Sequence, residues 1–420
     1  MKSIGEALHE MLPHFRPLPA ERVGLAAALG RFVACELRAR HDLPPFDNSA
    51  MDGYALAFSA PLAPGDLLPV TGQARAGSPA SQPLSPGEAA RIFTGAPLPD
   101  GADTVLIQEN TEPVEDDGSR IRVTHVPLKR GQHVRSRGSD VRADEPLLPA
   151  GQQLGPGEIA LLAGQGFASV DVHARPRVAI VATGDELRDV GQGAEPGTVV
   201  NTNAYSLAAQ VQEAGGIPWV LPPFPDDLEA ITRGLTDASV GADVVVSAGG
   251  VSVGDFDLVG KAFARADVKT HFWKVAMKPG KPVLFGTLRD TPIVGLPGNP
   301  VSATVTFELF VRPGLQQMAG SRRPFRATAT IELAHDHRHA PGRVELARAQ
   351  LAYAPDHAAP PRATLHSSQG SGSLRSMCDV HALVILPAER EVFEAGERLQ
   401  AVVLPAGHSQ ARHPFGGGNG

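Results

Sequence analysis

The chain has 420 residues, too many for a single hydrophobic core, so about two to four domains are expected. It is 42% hydrophobic and 20% charged, an ordinary soluble balance, and its formal net charge of −7 without a long basic run speaks against a nucleic-acid partner. Cys35 and Cys378 stand far apart without metal spacing, the N-terminal stretch lacks the apolar core of a signal peptide, and no apolar run reaches about 18 residues, so a cytoplasmic protein with no membrane span is expected.

Ser3 and Glu6 match a capping box, and Ile4, Ala7, Leu8 and Met11 follow at helical spacing. A second helical stretch is predicted over about Ala20 to Arg31, and Pro44-Pro45 ends the helical part. Short apolar runs such as ADTVLIQEN and SRIRVTHV then alternate with Pro/Gly turns, which reads as a β-rich insertion over residues 47–138. Helical signal returns at GPGEIALLAGQGF (155–167), so residues 1–46 and 139–174 are read as one elongated linker domain whose helices pack together around the insertion point.

Residues 175–323 alternate strand and helix. RVAIVATG (177–184) is a continuous apolar run, as in a parallel strand buried on both faces. NTNAYSLAAQVQEAGG (201–216) carries cap residues at its start and Gly-Gly at its end. IPWVLPPF, DDLEAITRGLTDAS, ADVVVSAGG, TPIVGLPG and a long apolar helix from 301 to 318 complete a doubly wound α/β domain. Beyond Pro324, RATATIEL, RVELARAQL and HALVILPA alternate in the manner of a small antiparallel, barrel-like β domain over residues 324–405, and residues 406–420 read as a disordered tail. The expected fold class is thus multidomain, α/β and β.

Ligands of open α/β sheets sit beyond the carboxyl ends of the strands. Three strand ends here are glycine-rich: VATGDEL (181–187), SAGGVSVGDFD (247–257) and GLPGNPVSA (295–303). Gly249, Gly250 and Gly254 let backbone N–H groups approach an anion, and Pro297, Gly298, Asn299 and Pro300 lead into a helix start that suits an oxyanion. Ser252 and Ser302 can add hydroxyl donors. Ordinary βα turns would explain any one of these loops alone. WKVAMKPGKP (273–282) adds Lys274 and Lys278, on one face if the segment is extended, and Lys281 after a Pro-Gly turn. Three ammonium groups at one place require an anion. Glu186, Asp226 or Asp227, Asp255 and Asp257 are hard oxygen donors of the kind that hold Mg²⁺ with substrate phosphate, although helix capping explains one of the 226–227 pair as well. Glu186 and Asp257 are the candidate metal ligands. There is no GxxxxGK[ST] or GxGxxG, and no His/Cys cluster marks zinc.

One stretch lies outside this picture. PPFDNSAMDGYAL (44–56) holds more small polar residues than a turn needs and leaves Asp52 unshielded beside Gly53.

PFDNSAMDGYA, RIFTGAPLP, RSRGSD, TGDEL, NTN, SAGGVSVGDFD, KVAMKPGKP and GLPGNPVSATVTF occur in this order within about residues 3 to 405. Together they resemble the molybdopterin molybdenumtransferases, the family that includes the E domain of gephyrin. The resemblance implies a transferase of molybdenum cofactor synthesis. It would take adenylylated molybdopterin and molybdate, cleave the phosphate–AMP bond in a Mg²⁺-dependent step and place molybdenum on the dithiolene. It implies a homodimer of four-domain subunits in which the loop carrying Asp52 faces the α/β site of the partner subunit. Carried over residue by residue, the functional carboxylates fall on Asp52, Asp140, Glu186, Asp226 and Asp257, the lysines on Lys274 and Lys278, and a loop threonine on Thr94. A molybdopterin adenylyltransferase and molybdoenzyme chaperones are candidate partners. Two other readings compete with it. An adenylyltransferase would need only residues 175–323, and a scaffold would be expected to carry a long linker or a fused domain. Tungstate, a dianion of nearly equal size, is not separated from molybdate by these residues.

Overall fold

The structure, a computed structural model, describes residues 1–192, 195–250, 258–354 and 359–408. Ser252, Gly254, Asp255 and Asp257, and the tail beyond residue 408, lie outside them.

Helix α1 (Ile4–Met11) starts at the expected capping box: Ser3 Oγ accepts the Glu6 N–H at 3.2 Å and Glu6 Oε2 accepts the Ser3 N–H at 2.7 Å. The helix expected over Ala20–Arg31 is not formed. Residues Ala20–Gly24 are a strand, β1, and Leu25–Ala27 a single 3₁₀ turn. The long-range partner decides this: Arg22 lies opposite Asp171, and its guanidinium makes two 2.8 Å bonds to that carboxylate. Gly24 and Gly30 also weaken a helix over this span.

Strands β2 (Gly53–Leu56), β3 (Leu67–Ala74), β4 (Ala89–Ile92), β5 (Thr104–Ile107), β6 (Thr111–Pro113) and β7 (Arg120–Val123) form one six-stranded sheet, order β5-β2-β4-β3-β7-β6. The short pair Asn48–Ser49 and Val134–Arg135 is antiparallel and anchors the chain where it enters and leaves this region. Helix α2 (Pro156–Gly164) follows, and β8 (Ser169–His173) returns to pair with β1.

The next sheet is built on β9 (Arg177–Ala182), with five of its six residues buried. After it come α3 (Thr202–Glu213), β10 (Ile217–Val220), α4 (Leu228–Gly241), β11 (Val244–Ala248), α5 (Leu258–Arg265), β12 (Lys269–Trp273), β13 (Leu284–Leu288) and β14 (Thr291–Leu296). The order is β10-β9-β11-β14-β13-β12. The first four strands are parallel, and β13 and β12 add an antiparallel edge. A two-residue turn, Arg289-Asp290, makes that edge, since Leu288 pairs directly with Thr291. One face packs Val178, Ile180 and Val246 against Leu207 and Val211 of α3, the other packs Ala179, Val181 and Val245 against Ile231 and Leu235 of α4. The first of these cores also takes in Ala7, Met11 and Phe15 from the N-terminal segment. Gly314 leaves the room for Phe15, since a Cβ there would lie 2.4 Å from its ring.

The long apolar helix predicted from 301 to 318 is three segments: α6 (Pro300–Thr306), a π turn over Phe307–Val311, and α7 (Arg312–Met318). Pro313 has no N–H to continue an α ladder, and the wider turn before it absorbs the break.

Strands β15 (Thr328–Leu333), β16 (Val344–Ala352), β17 (Arg362–Leu365), β18 (Ala382–Leu386) and β19 (Arg398–Val403) close into a barrel in the order β16-β17-β15-β19-β18, with β18 pairing back onto β16. A two-residue strand, Met277–Lys278, adds to this barrel in parallel with Val344–Glu345 and ties it to the lysine-bearing segment.

Candidate functional site

The carboxyl ends of β9, β11 and β14 open into a cleft of about 760 Å³. Each glycine-rich loop supplies one wall, as the sheet topology requires. From the first come Thr183 and Glu186. Gly184 has φ of +144°, and a Cβ there would lie 2.4 Å from Glu186 Oε2, so this glycine lets the carboxylate fold against the backbone. From the second come Gly249 and Gly250, with φ of +96° and +65°. A Cβ on Gly250 would lie 2.6 Å from a Val259 methyl. From the third come Pro297, Gly298, Asn299 and Pro300.

Amide side chains complete the lining. Asn201 caps α3 through Ala204 N–H at 3.2 Å. Asn203 donates Nδ2 to Gly298 O at 2.7 Å, and its Oδ1 is buried without a partner among the described residues. Thr183 Oγ1 is buried without a partner as well. Among the described residues these two atoms carry an uncompensated desolvation cost. Glu186 is the one charged side chain among the described lining residues.

Asp226 stands beside the first loop: its N–H donates to Asp185 Oδ1 at 3.2 Å, and Asp185 N–H reaches Asp226 Oδ2 at 3.5 Å. Asp227 is the residue that caps α4, accepting Ala230 N–H at 2.8 Å, so capping leaves Asp226 free for another task.

The lysines are placed differently from the extended reading. Lys274 has φ of +75°, which breaks the two-residue alternation, and its ammonium lies 4.4 Å from the Trp273 ring centre. Lys278 donates to Glu345 Oε2 at 3.1 Å. Lys281 is half-buried, and its carbonyl accepts the Val275 and Val283 N–H groups at 3.0 and 3.1 Å. Pro282, directly after it, lines the cleft. Ser302 is buried within α6 at 4% exposure and does not line the cleft.

The helix start after Asn299 is only partly open. Val301 N–H donates to Ser371 O at 3.1 Å, and Asn299 Nδ2 donates to Ser371 Oγ at 2.9 Å. Ser371 belongs to the loop between β17 and β18, which also places Leu374 in the lining. The fully buried Arg348 holds this loop from behind through Ser368 O at 2.9 Å and Gly370 O at 3.3 Å. None of Ser371, Leu374, Arg348 or Glu345 was singled out from the sequence; the run SSQGSGS (367–373) was the available signal.

Asp52, Thr94 and Asp140 do not line this cleft in their own chain. Asp52 Oδ1 accepts both the Thr94 N–H at 2.7 Å and the Thr94 hydroxyl at 2.8 Å. Those two bonds, the backbone one first, hold the Asp52 carboxyl below the ordinary carboxylate range. Asp140 is exposed, and its N–H donates to Leu43 O at 3.0 Å.

The Glu186 carboxylate offers the hard oxygen donor that Mg²⁺ selects. No group of three or more His, Cys, Asp or Glu is gathered among the described residues. A Mg²⁺ held by one or two carboxylates together with substrate phosphate needs no such cage. No helix among the described residues is long and apolar enough to cross a membrane.

Residues 2–166 match the MoeA N-terminal region (domain I and II), residues 179–317 the probable molybdopterin binding domain, and residues 330–404 the MoeA C-terminal region (domain IV). The chain is 37% identical over 395 residues to a molybdopterin molybdenumtransferase of Nostoc sp., covering 92% of this chain and 89% of that protein. It is 33% identical over 405 residues to the molybdopterin molybdenumtransferase of Bacillus subtilis, covering 96% and 94%. The solved structure of a molybdopterin biosynthesis moeA protein from Pyrococcus horikoshii OT3 superposes with a TM-score of 0.81 at 28% identity, covering 96% of this chain and all of that one.

Proposed function

The chain belongs to the molybdopterin molybdenumtransferase family and is a transferase of molybdenum cofactor biosynthesis, and from that premise we propose that it hydrolyses adenylylated molybdopterin, releases AMP and passes molybdenum from molybdate to the dithiolene. The observation that carries this reading is the cleft itself: three glycine-rich strand ends converge on it, and Thr183, Glu186 and Asn203 line it.

In this reading the pterin and phosphate groups lie against Gly249, Gly250 and the 297–300 loop, where backbone N–H groups can meet oxyanions. Water supplies the oxygen that parts AMP from the molybdopterin phosphate. The two dithiolene sulfurs then replace one molybdate oxygen, which leaves as water with the thiol protons. Glu186 and Asp257 would hold Mg²⁺, whose charge offsets that of the phosphoanhydride oxygens. Asp226 orients water or a pterin N–H, while Lys274, Lys278 and Lys281 attract molybdate. Carboxylates are poor partners for a dianion, so they are not assigned to molybdate.

Asp52, Thr94 and Asp140 act in this reading from the second subunit of a homodimer. Support comes from the fact that they stand outside the cleft of their own chain while Asp52 is held ionised at a tight turn. The reading also places the protein in the cytoplasm, downstream of a molybdopterin adenylyltransferase and upstream of molybdoenzyme chaperones.

The test is to incubate the protein with adenylylated molybdopterin, Mg²⁺ and molybdate and follow AMP release and molybdenum bound to the pterin. Molybdate-dependent release with metal retained on the pterin supports the transferase. Binding without release under any oxyanion, tungstate included, refutes it.

A further inference from the structure

Lys278 presents a difficulty. An oxyanion ligand needs its positive charge available, yet its ammonium sits 3.1 Å from Glu345 Oε2, on a carboxylate that is only 2% exposed. A simple ion pair would leave the site no charge to offer.

The surroundings of Glu345 resolve this. Its Oε2 also lies 3.2 Å from Nδ1 of the buried His339, a charge contact rather than a well-aligned hydrogen bond. On the other side of that ring, Nε2 faces two carbonyl oxygens, Arg390 at 2.7 Å and Pro387 at 3.2 Å. Carbonyls only accept, so Nε2 carries a proton. A neutral ring would then point the Nδ1 lone pair at a buried carboxylate, which is repulsive. A further proton on Nδ1 or on Oε2 would remove that repulsion. Whichever atom carries it, the His339–Glu345 pair sums to zero charge and Lys278 keeps its full positive charge. Nearby His337 is pushed below its ordinary value by burial, and the Arg348 guanidinium, which donates Nη2 to the Ser368 and Gly370 carbonyls, adds a second positive charge that Glu345 feels. Backbone pairing of Met277–Lys278 with Val344–Glu345 fastens the same lysine from its other end.

We infer that Glu345 and His339, both from the C-terminal barrel, are positioning residues for Lys278: they fix its ammonium by a hydrogen bond while leaving its charge free for the oxyanion substrate. This rests on the reading of Lys278 as an oxyanion ligand.

The roles predict an unusual substitution pattern. A glutamine at 345 can set its carbonyl oxygen where Oε2 stands, which keeps the acceptor for Lys278 and, beside a neutral His339, leaves the net charge unchanged. Glu345→Gln in the full-length protein is therefore expected to keep the KM for molybdate, read from AMP release, within about threefold of the parent. Glu345→Met, of similar length without an acceptor, raises it roughly tenfold with kcat little changed. Lys278→Ala raises it too, and adding Glu345→Met to Lys278→Ala changes nothing more. If thermal unfolding shows that Glu345→Met has lost the fold, His339→Phe takes its place: Glu345 then neutralises Lys278, and the KM must rise.

A Glu345→Gln protein as impaired as Glu345→Met would overturn the inference, and so would a Glu345→Met effect that persists without Lys278. Normal kinetics in both Glu345→Met and His339→Phe beside an impaired Lys278→Ala would sink the inference alone. A normal KM in Lys278→Ala would refute the reading of Lys278 and the inference with it.

Discussion

Asp52 and Thr94 are joined twice through a single oxygen: Asp52 Oδ1 takes the Thr94 backbone N–H at 2.7 Å and its hydroxyl at 2.8 Å. The two residues come from loops 42 positions apart, and the contact leaves Asp52 Oδ2 without a protein bond among those described. The carboxyl is thus oriented by one oxygen and free to meet a ligand with the other.

The first prediction concerns its ionisation. The folded-state pKa of Asp52 is lowered, so any stability this contact supplies is present above the unfolded carboxylate value and is lost only as pH falls through the lower folded one. The ¹³C shift of the Asp52 carboxyl should titrate below the ordinary aspartate value, and Thr94→Val, which removes the hydroxyl but keeps the backbone N–H, should move it part of the way back. An ordinary titration in the parent protein would show that the two bonds do not persist in solution.

Glu186 gives a second prediction. It is exposed, and its partner in the structure is the space left by Gly184 rather than a charge. Glu186→Gln should change unfolding free energy by no more than about 0.5 kcal/mol. AMP release should nevertheless fall by on the order of 10²-fold. Near-normal turnover at saturating Mg²⁺ would remove Glu186 from the metal and from the reaction.

The glycine wall is the third. Gly250 needs both its left-handed φ of +65° and the absence of a Cβ that would meet Val259 at 2.6 Å. Gly250→Ala should cost about 1–3 kcal/mol of stability. It should also weaken pterin binding more than Glu186→Gln does, because the backbone itself moves. A melting temperature equal to that of the parent would show that the loop relaxes freely.

Which parts of this were legible follows from where each signal lies along the chain. RVAIVATG and ADVVVSAGG could be read as buried parallel strands because both faces of β9 and β11 are covered, which makes their apolar runs unbroken. The glycines after them mark the strand ends, and the cleft falls there. The span Ala20–Arg31 could not be read locally, because its strand is dictated by Asp171, 149 residues from Arg22. Pro313 was visible, but helical periodicity does not distinguish an α turn from the π turn that precedes it. The lysine segment does not meet the condition for one shared face: one left-handed residue, Lys274, undoes an alternation that holds only for extended backbone. From the barrel domain Glu345 meets Lys278 and Ser371 meets Asn299, and no spacing within the motifs near residue 280 or 300 points to them.

The fourth prediction separates a shared site from a self-contained one. If Asp52 serves the cleft of the other subunit, a subunit carrying Asp52→Ala keeps a sound cleft, and a subunit carrying Glu186→Ala keeps a sound Asp52. Each homodimer has both of its sites damaged. In a heterodimer, the intact cleft of the first subunit meets the intact Asp52 of the second, so one of two sites is restored. Random exchange makes about half the dimers mixed, so co-refolded protein should recover roughly one quarter of parental AMP release. If each cleft uses the Asp52 of its own chain, every site in the mixture has one defect and no activity returns. Sedimentation of the parent at micromolar concentration gives the companion result: a monomer with full activity would make a contribution of Asp52 across subunits untenable, and would require the inserted sheet to swing onto its own cleft.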